Sequence, residues 1–255
     1  MKKLKVLVLD CETAPMLAYI WDLRDEGVTL DRLRDDWHIM SWAAKWLGEK
    51  KVFYRDQRAA KVLEDDREIL KELWQLLDEA DVVITQNGVN FDTPKLNARF
   101  ILHGMPPPSP YRHLDTYQIV KRVARFSSNK LEYLTAKLCK KYKKLPHKKF
   151  PGFSLWKECL AGNRKAWEEM RVYNIHDVLA TEELYTKIRA WAPETMPDVY
   201  QTSSPALECR VCGEAGSMQR RGMRVTKKSQ FARYQCQKCG SWSTGEKLKE
   251  IPKAA

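Results

Sequence analysis

Leu4-Lys5-Val6-Leu7-Val8-Leu9-Asp10-Cys11-Glu12-Thr13 is the stretch that decides how this chain folds. Residues 4–9 are a short apolar run rich in Val and Leu, the pattern of a strand buried on both faces. The run ends on Asp10 and Glu12, and their i, i+2 spacing aims both carboxylates at one face of a sheet. Like charges that close repel and raise each other's pKa, so the pair calls for a cation or a shared proton. A polar turn at a strand end is the plainer alternative, and acids elsewhere in the chain weigh against it.

Apolar stretches at 38–46 and 51–54, separated by Gly48, predict two more strands in an antiparallel meander with the first. Ile69, Leu70, Leu73, Trp74, Leu76 and Leu77 recur at helical spacing and predict an amphipathic helix over 65–79. A buried strand at 81–85 leads to an Asn87-Gly88 turn. Asn90 is then the expected N-cap of a helix over 92–103, which Gly104 and the prolines at 106–108 terminate. A strand at 111–114 and helices at 116–125 and 130–142 follow, then a loop to 153. A long helix over 164–191 carries the stripe Trp167, Met170, Ile175, Val178, Leu179 and Leu184.

Two further acids occupy marked places. Asp92 opens the helix after a strand, where it also complements the helix dipole. Asp177 lies on the long helix four residues after Tyr173, which puts the phenol on the same helical face.

Three stretches, Leu9-Asp10-Cys11-Glu12-Thr13, Asn87-Gly88-Val89-Asn90-Phe91-Asp92 and Tyr173-Asn174-Ile175-His176-Asp177, together resemble the DEDD superfamily of 3′-to-5′ exonucleases. The resemblance covers roughly residues 1–191. It implies an α/β, ribonuclease-H-like fold: a mixed five-stranded sheet flanked by helices. Position 172 is Val and position 173 is Tyr, so the resemblance is to the tyrosine subtype. By that resemblance Asp10, Glu12, Asp92 and Asp177 hold two Mg²⁺ or Mn²⁺ ions, with Asp10 the choice for the bridging ligand. Hard oxygen donors of this kind suit those metals. Tyr173 would orient the attacking water, since a phenol with pKa near ~10 is a poor base at neutral pH. His176 points about 100° away from Asp177 around the helix and is not assigned as the base. Phe91 is a candidate contact for the terminal base or sugar, although an aromatic at such a junction is more often core. Asp115 is expected behind the site or as an N-cap.

The chain has 255 residues, 44% hydrophobic and 31% charged, which fits a globular protein of one ordinary domain plus a small satellite. No apolar run approaches the ~18 residues of a membrane span. Met1-Lys-Lys-Leu-Lys resembles a secretory n-region, but Asp10 and Glu12 interrupt the apolar stretch, so a cytoplasmic location is expected, in a bacterium or in the host of a phage. A net charge of +12 points to a polyanionic partner. Eleven Lys and Arg residues fall between positions 121 and 149 against the single acid Glu132. Of these, Lys121, Arg122, Arg125 and Lys130 are candidates for steering a nucleic-acid backbone; a solvated helix face is the alternative.

Residues 192–206 hold three prolines and two serines and are expected to be a linker to a module at 207–255. There Cys209-x2-Cys212 and Cys236-x2-Cys239 lie 23 residues apart, each pair followed by a glycine, Gly213 or Gly240. Two thiolates on a tight turn take adjacent corners of a tetrahedron, so the four cysteines predict one structural Zn²⁺ in a zinc ribbon. Arg220, Arg221, Lys227 and Lys228, interleaved with aromatic residues, suit single-stranded nucleic acid. Docking of a replication or repair protein through the ribbon is the competing role. The expected function is hydrolysis of DNA from single-stranded 3′ ends. An exoribonuclease or structure-specific endonuclease with the same site, and a non-catalytic nucleic-acid adaptor, are the alternatives.

Overall fold

The computed structural model describes residues 4–24, 27–145, 149–192, 208–226 and 229–250. Residues 193–206 of the linker expected at 192–206, and the candidate residues Lys227 and Lys228, lie outside them.

The leading apolar run becomes β1 (Val6–Thr13). It is followed by a two-stranded ribbon, β2 (Leu17–Ala18) and β3 (Leu33–Asp35), for which the sequence offered no reading. The ribbon segment exposes Tyr19, Trp21 and Leu23. β4 (Ile39–Trp46) and β5 (Val52–Asp56) form the expected meander. Then come α1 (Arg67–Glu79), β6 (Val82–Thr85), α2 (Asp92–Leu102), β7 (Arg112–Asp115), α3 (Thr116–Val123) and α4 (Leu131–Leu138). α5 (Ser154–Leu160) precedes the long helix α6 (Arg164–Ile188), which ends in a 3-10 turn, Arg189–Trp191.

The sheet order is β5-β4-β1-β6-β7, with β1 antiparallel to β4 and parallel to β6, and β6 parallel to β7. This is the expected mixed five-stranded sheet. Period-two alternation along β1 sends Leu7, Leu9 and Cys11 into a core shared with α1 and α2. Val6 and Val8 enter the opposite core, where α3, α4 and α6 pack. The same alternation places Asp10 and Glu12 on the α6 side, where the apolar residues run out. Strand β1 continues through both acids to Thr13 instead of ending before them, because Asp10, Cys11 and Glu12 keep their pairing with Ala43, Trp42 and Ser41 of β4.

Three local expectations are corrected. Phe91, not Asn90, occupies the N-cap of α2, and Asn90 Nδ2 donates to Asn87 Oδ1 at 3.2 Å. Helix α4 stops at Leu138 and not at residue 142, because Glu183 of α6 accepts from the amides of Lys140 (2.8 Å), Lys141 (3.1 Å) and Tyr142 (2.7 Å). Helix α5 falls in a stretch given no element, although Leu155 and Cys159 at i, i+4 bury one face of it. A buried ion pair, Arg99 Nε to Asp66 Oδ2 at 2.8 Å, ties α2 to the start of α1, and Asp66 also accepts from the amide of Ile39 on β4 at 2.7 Å.

The C-terminal cysteines sit beside a separate antiparallel sheet, β10-β9-β8, formed by β8 (Met218–Val225), β9 (Ser229–Cys236) and β10 (Trp242–Glu250).

Candidate active site

Strand β1 ends beside α6 and beside the turn that enters α2, and these elements bring Asp10, Glu12, Asp92 and Asp177 into one cleft. Asp92 is buried and its Oδ1 accepts from the amide of Cys11 at 3.0 Å, which draws the start of α2 against β1. The turn before it needs Asn87 at φ 65°. It also needs Gly88, since a Cβ there would lie 2.3 Å from Thr85 Oγ1. Asp115, the N-cap of α3, accepts from the amides of Asn87 at 2.9 Å and Val89 at 3.2 Å and so braces the same turn from behind, as expected.

From α6 come Tyr173, Asn174 and Asp177, all buried on one face of the helix. Asn174 Nδ2 donates to Asp10 Oδ2 at 2.6 Å, while Ser41 Oγ donates to Asn174 Oδ1 at 3.2 Å. Trp156 of α5 donates its indole N–H to Glu12 Oε2 at 3.2 Å and packs edge-on against Tyr173, the ring centroids 6.2 Å apart. Lys144 reaches into the cleft and donates to Asp177 Oδ2 at 2.9 Å, its ammonium 4.9 Å from the Tyr173 ring. His176 has its Nε2 on the Lys143 carbonyl at 2.5 Å.

Lys144, Trp156 and Asn174 were not singled out by sequence. Asn174 had a signal: it lies three residues before Asp177, on the face that Tyr173 and Asp177 share. Lys144 is hidden in a run of lysines, and nothing marks Trp156.

Burial and mutual repulsion dominate the electrostatics. Desolvation, then the charges of Glu12, Asp92 and Asp177, hold the Asp10 carboxyl well above the usual range. Burial, then Asp177, push Glu12 up to about 8 against the pull of Lys144. Burial raises Asp92 to about 6, opposed by its bonds to Cys11. Asp177 is raised by burial and partly relieved by Lys144. The Tyr173 hydroxyl is held far above its ordinary value, by burial and then by Asp177, Glu12 and Asp10.

Four carboxylates therefore face a single ammonium. Asp177 Oδ1 is buried with no donor in ordinary hydrogen-bond geometry, the nearby Tyr173 hydroxyl interacting with this carboxylate only weakly, and such under-satisfaction is costly for a carboxylate oxygen. That under-satisfied oxygen, with three further hard oxygen donors near it, fits divalent cations of the Mg²⁺ or Mn²⁺ type. The carboxylates do not crowd onto one point: among the described residues only the four cysteines have all their ligand atoms within 4.8 Å of one another. Each acid is instead held by its own donor on Cys11, Asn174, Trp156 or Lys144, which spreads the negative charge along the cleft.

Of the candidate substrate contacts, Phe91 is 40% exposed beside Asp92 and so is not a core residue. Lys121, Arg122, Arg125 and Lys130 are all exposed, on α3 and the segment between α3 and α4.

In the C-terminal module Cys209 and Cys239 Sγ lie 3.6 Å apart and Cys212 and Cys236 Sγ 3.7 Å apart. A tetrahedron with Zn–S bonds of ~2.3 Å has edges of about 3.8 Å, whereas a disulfide needs ~2.05 Å. Gly213 and Gly240 follow each pair at φ 71° and 77°, closing the turns. The apolar centre here consists mainly of the cysteines with Val211 and Met218, too little to hold a fold without a staple. Arg220 and Arg221 are exposed on β8, and the Arg233 guanidinium lies 4.6 Å from the centroid of the Trp242 ring.

A sequence profile of the RNase H superfamily matches residues 33–189, more than half of the chain. The chain belongs to the RNase H superfamily. Its profile match begins after β1, so Asp10 and Glu12 lie outside it. No curated protein sequence matches significantly. Among solved structures, the family B DNA polymerase from the hyperthermophilic archaeon Pyrobaculum calidifontis is similar at 17% identity and a TM-score of 0.47, covering 89% of this chain. The chain spans about a third of that polymerase, 32% of its length. RNase H superfamily membership supports a nuclease, and no helix among the described residues is long and apolar enough to cross a membrane.

Proposed function

We propose that residues 1–191 form a metal-dependent 3′-to-5′ exonuclease of the tyrosine DEDD subtype, hydrolysing phosphodiester bonds at single-stranded 3′ ends of DNA, with residues 207–255 as a zinc ribbon. The observation that carries this reading is the convergence of half-buried Asp10 and Glu12 with buried Asp92 and Asp177, close enough that their charges raise one another's pKa. A crowded, largely desolvated acid cluster beside the Lys144 ammonium is a poor structural device and a good cation site.

Asp10, Glu12, Asp92 and Asp177 would hold the divalent ions. When bound, such ions lower the pKa of water and neutralise charge on the phosphate and the leaving 3′-oxygen. The chain's own groups then orient and position. Tyr173, kept neutral by its acidic surroundings, keeps its phenolic proton and so orients the attacking water by hydrogen bonding without serving as base. Asn174 fixes the carboxylate of Asp10, and Trp156 fixes that of Glu12 while walling the cleft beside Tyr173. Lys144 supplies positive charge beside Asp177, where the phosphate of a bound strand would gather negative charge. Exposed Phe91 offers a stacking face for the terminal nucleotide.

The test is incubation of 5′-labelled single- and double-stranded DNA and RNA with Mg²⁺, Mn²⁺ or EDTA. A ladder of products shortened from the 3′ end, on single-stranded DNA and with metal alone, is the expected result. Cleavage in EDTA, or release of the 5′ label as a mononucleotide, would overturn the reading.

A further inference from the structure

A second recess, of about 480 Å³, runs along the edge of the same sheet from Val89 and Asp115 at the carboxylate end to Arg112, which is level with Val6 of β1. Its floor is the edge strand β7 and its wall the face of α3, with Val89 at the rim. Four cations line it: Arg112, Lys121, Arg122 and Arg125. Its carboxylate, Asp115, is buried and committed to backbone amides, those of Asn87, Val89 and Tyr117 at 2.9, 3.2 and 2.9 Å. Lys121 and Arg122 have no salt-bridge partner among the described residues. The recess is thus a groove lined by cations, its one carboxylate tied to backbone amides of the fold, and its volume falls in the range of small-molecule pockets, about 300–1,000 Å³.

Its position relative to the acid cleft is fixed by the backbone. Val89 at its rim and Asp92 in the cleft belong to one turn, and Asp115 bonds that turn to the first turn of the helix that carries Lys121 and Arg122. Strands β1, β6 and β7 are neighbours, so β7 lies about 10 Å from the strand bearing Asp10. A chain leaving the carboxylates past Val89 therefore meets the rim of the groove first and its cations a few nucleotides further on, along β7.

We infer that this recess holds the phosphodiester backbone of the strand being degraded, on the 5′ side of the bond that is cut. The inference rests on the nuclease reading and adds to it a defined track for the substrate. Several cations spread along a helix face match a repeating anion, and backbone contacts of this kind are independent of base sequence.

The test compares the full chain with the triple variant Lys121→Gln, Arg122→Gln and Arg125→Gln, all surface positions. Hydrolysis of a dinucleotide and of a single-stranded 12-mer is followed, together with fluorescence anisotropy of the 12-mer in Ca²⁺ over a range of salt. The ratio of kcat/KM on the 12-mer to that on the dinucleotide is expected to fall at least tenfold in the variant. The slope of log affinity against log salt is expected to shrink by about 2, since each single-strand phosphate contact contributes ~0.7. An unchanged ratio and slope would overturn the inference. So would competition by thymidine 5′-monophosphate that disappears in the variant while the 12-mer ratio holds, which would assign the recess to the released nucleotide. Should the chain bind the 12-mer but cut nothing, the nuclease reading fails, and the affinity and slope still decide whether the groove binds the strand.

Discussion

Asn174 of α6 donates to the carboxylate of Asp10 on β1 at 2.6 Å, across 164 residues of sequence. Its amide oxygen accepts from Ser41 of β4 at 3.2 Å, so one buried side chain locks helix, central strand and neighbouring strand together at the carboxylates. Asp10 is thereby presented in a single orientation.

Asn174→Ala frees that carboxylate. Outer partners of metal ligands are typically worth ~10–100-fold in metal affinity or activity. The Mn²⁺ concentration giving half-maximal activity is expected to rise by about that factor, in a protein that still melts cooperatively. An unchanged metal dependence would remove Asn174 from the site.

Lys144→Met removes the ammonium beside Asp177. Loss of one preorganised charge at a developing anion costs ~10²–10³-fold in turnover. Steady-state kinetics is expected to report this in kcat, with a smaller change in KM. If the lysine merely filled a metal position, the variant would bind Mn²⁺ more tightly at undiminished kcat.

Metal-free stability should depend on pH in a definite direction. Folded-state pKa values of about 8 for Glu12 and about 6 for Asp92 lie above the unfolded values of roughly 4. The folded chain therefore binds more protons than the unfolded one across this window. The stability contributed by the protonated acids is full below pH ~4 and is lost as pH rises toward 8. Thermal melts in EDTA are expected to show Tm falling between pH 5 and pH 8. Added Mn²⁺ should raise Tm most at the upper end, where the carboxylates are freed of protons. A Tm gain from Mn²⁺ that did not grow with pH would contradict this assignment of charge.

Much of this cleft was legible in the sequence because its parts sit where pattern changes meaning. Asp10 and Glu12 interrupt an alternation that Val6 and Val8 establish, Asp92 follows an Asn-Gly turn, and Asp177 shares a helix face with Tyr173. Each is a local signal with a long-range consequence. Lys144 had no such signal, since one lysine in a basic run looks like any other until the fold points it at Asp177. Trp156 lies on a helix too short to show a period. The N-cap of α2 and the end of α4 were missed for a related reason: the Asn87 turn and the Glu183 carboxylate, both tertiary matters, set those boundaries.

For the C-terminal module, native mass spectrometry is expected to find one zinc ion per chain, lost in Cys209→Ser and in Cys236→Ser. The thiol spacings of 3.6 and 3.7 Å fit a tetrahedral metal site and are too long for a disulfide. A zinc-free chain with four titratable thiols and an unchanged melt would refute the ribbon.

The most direct test of the central claim, that these carboxylates act jointly by capturing divalent cations, measures bound Mn²⁺ and turnover of a single-stranded DNA substrate in the same samples of the parent chain, Asp10→Ala and Asp177→Asn. Two bound ions with cleavage in the parent, and fewer ions with turnover reduced at least a thousandfold in both folded variants, is the predicted result. Full turnover by either variant, or cleavage that persists when no Mn²⁺ is bound, would contradict it.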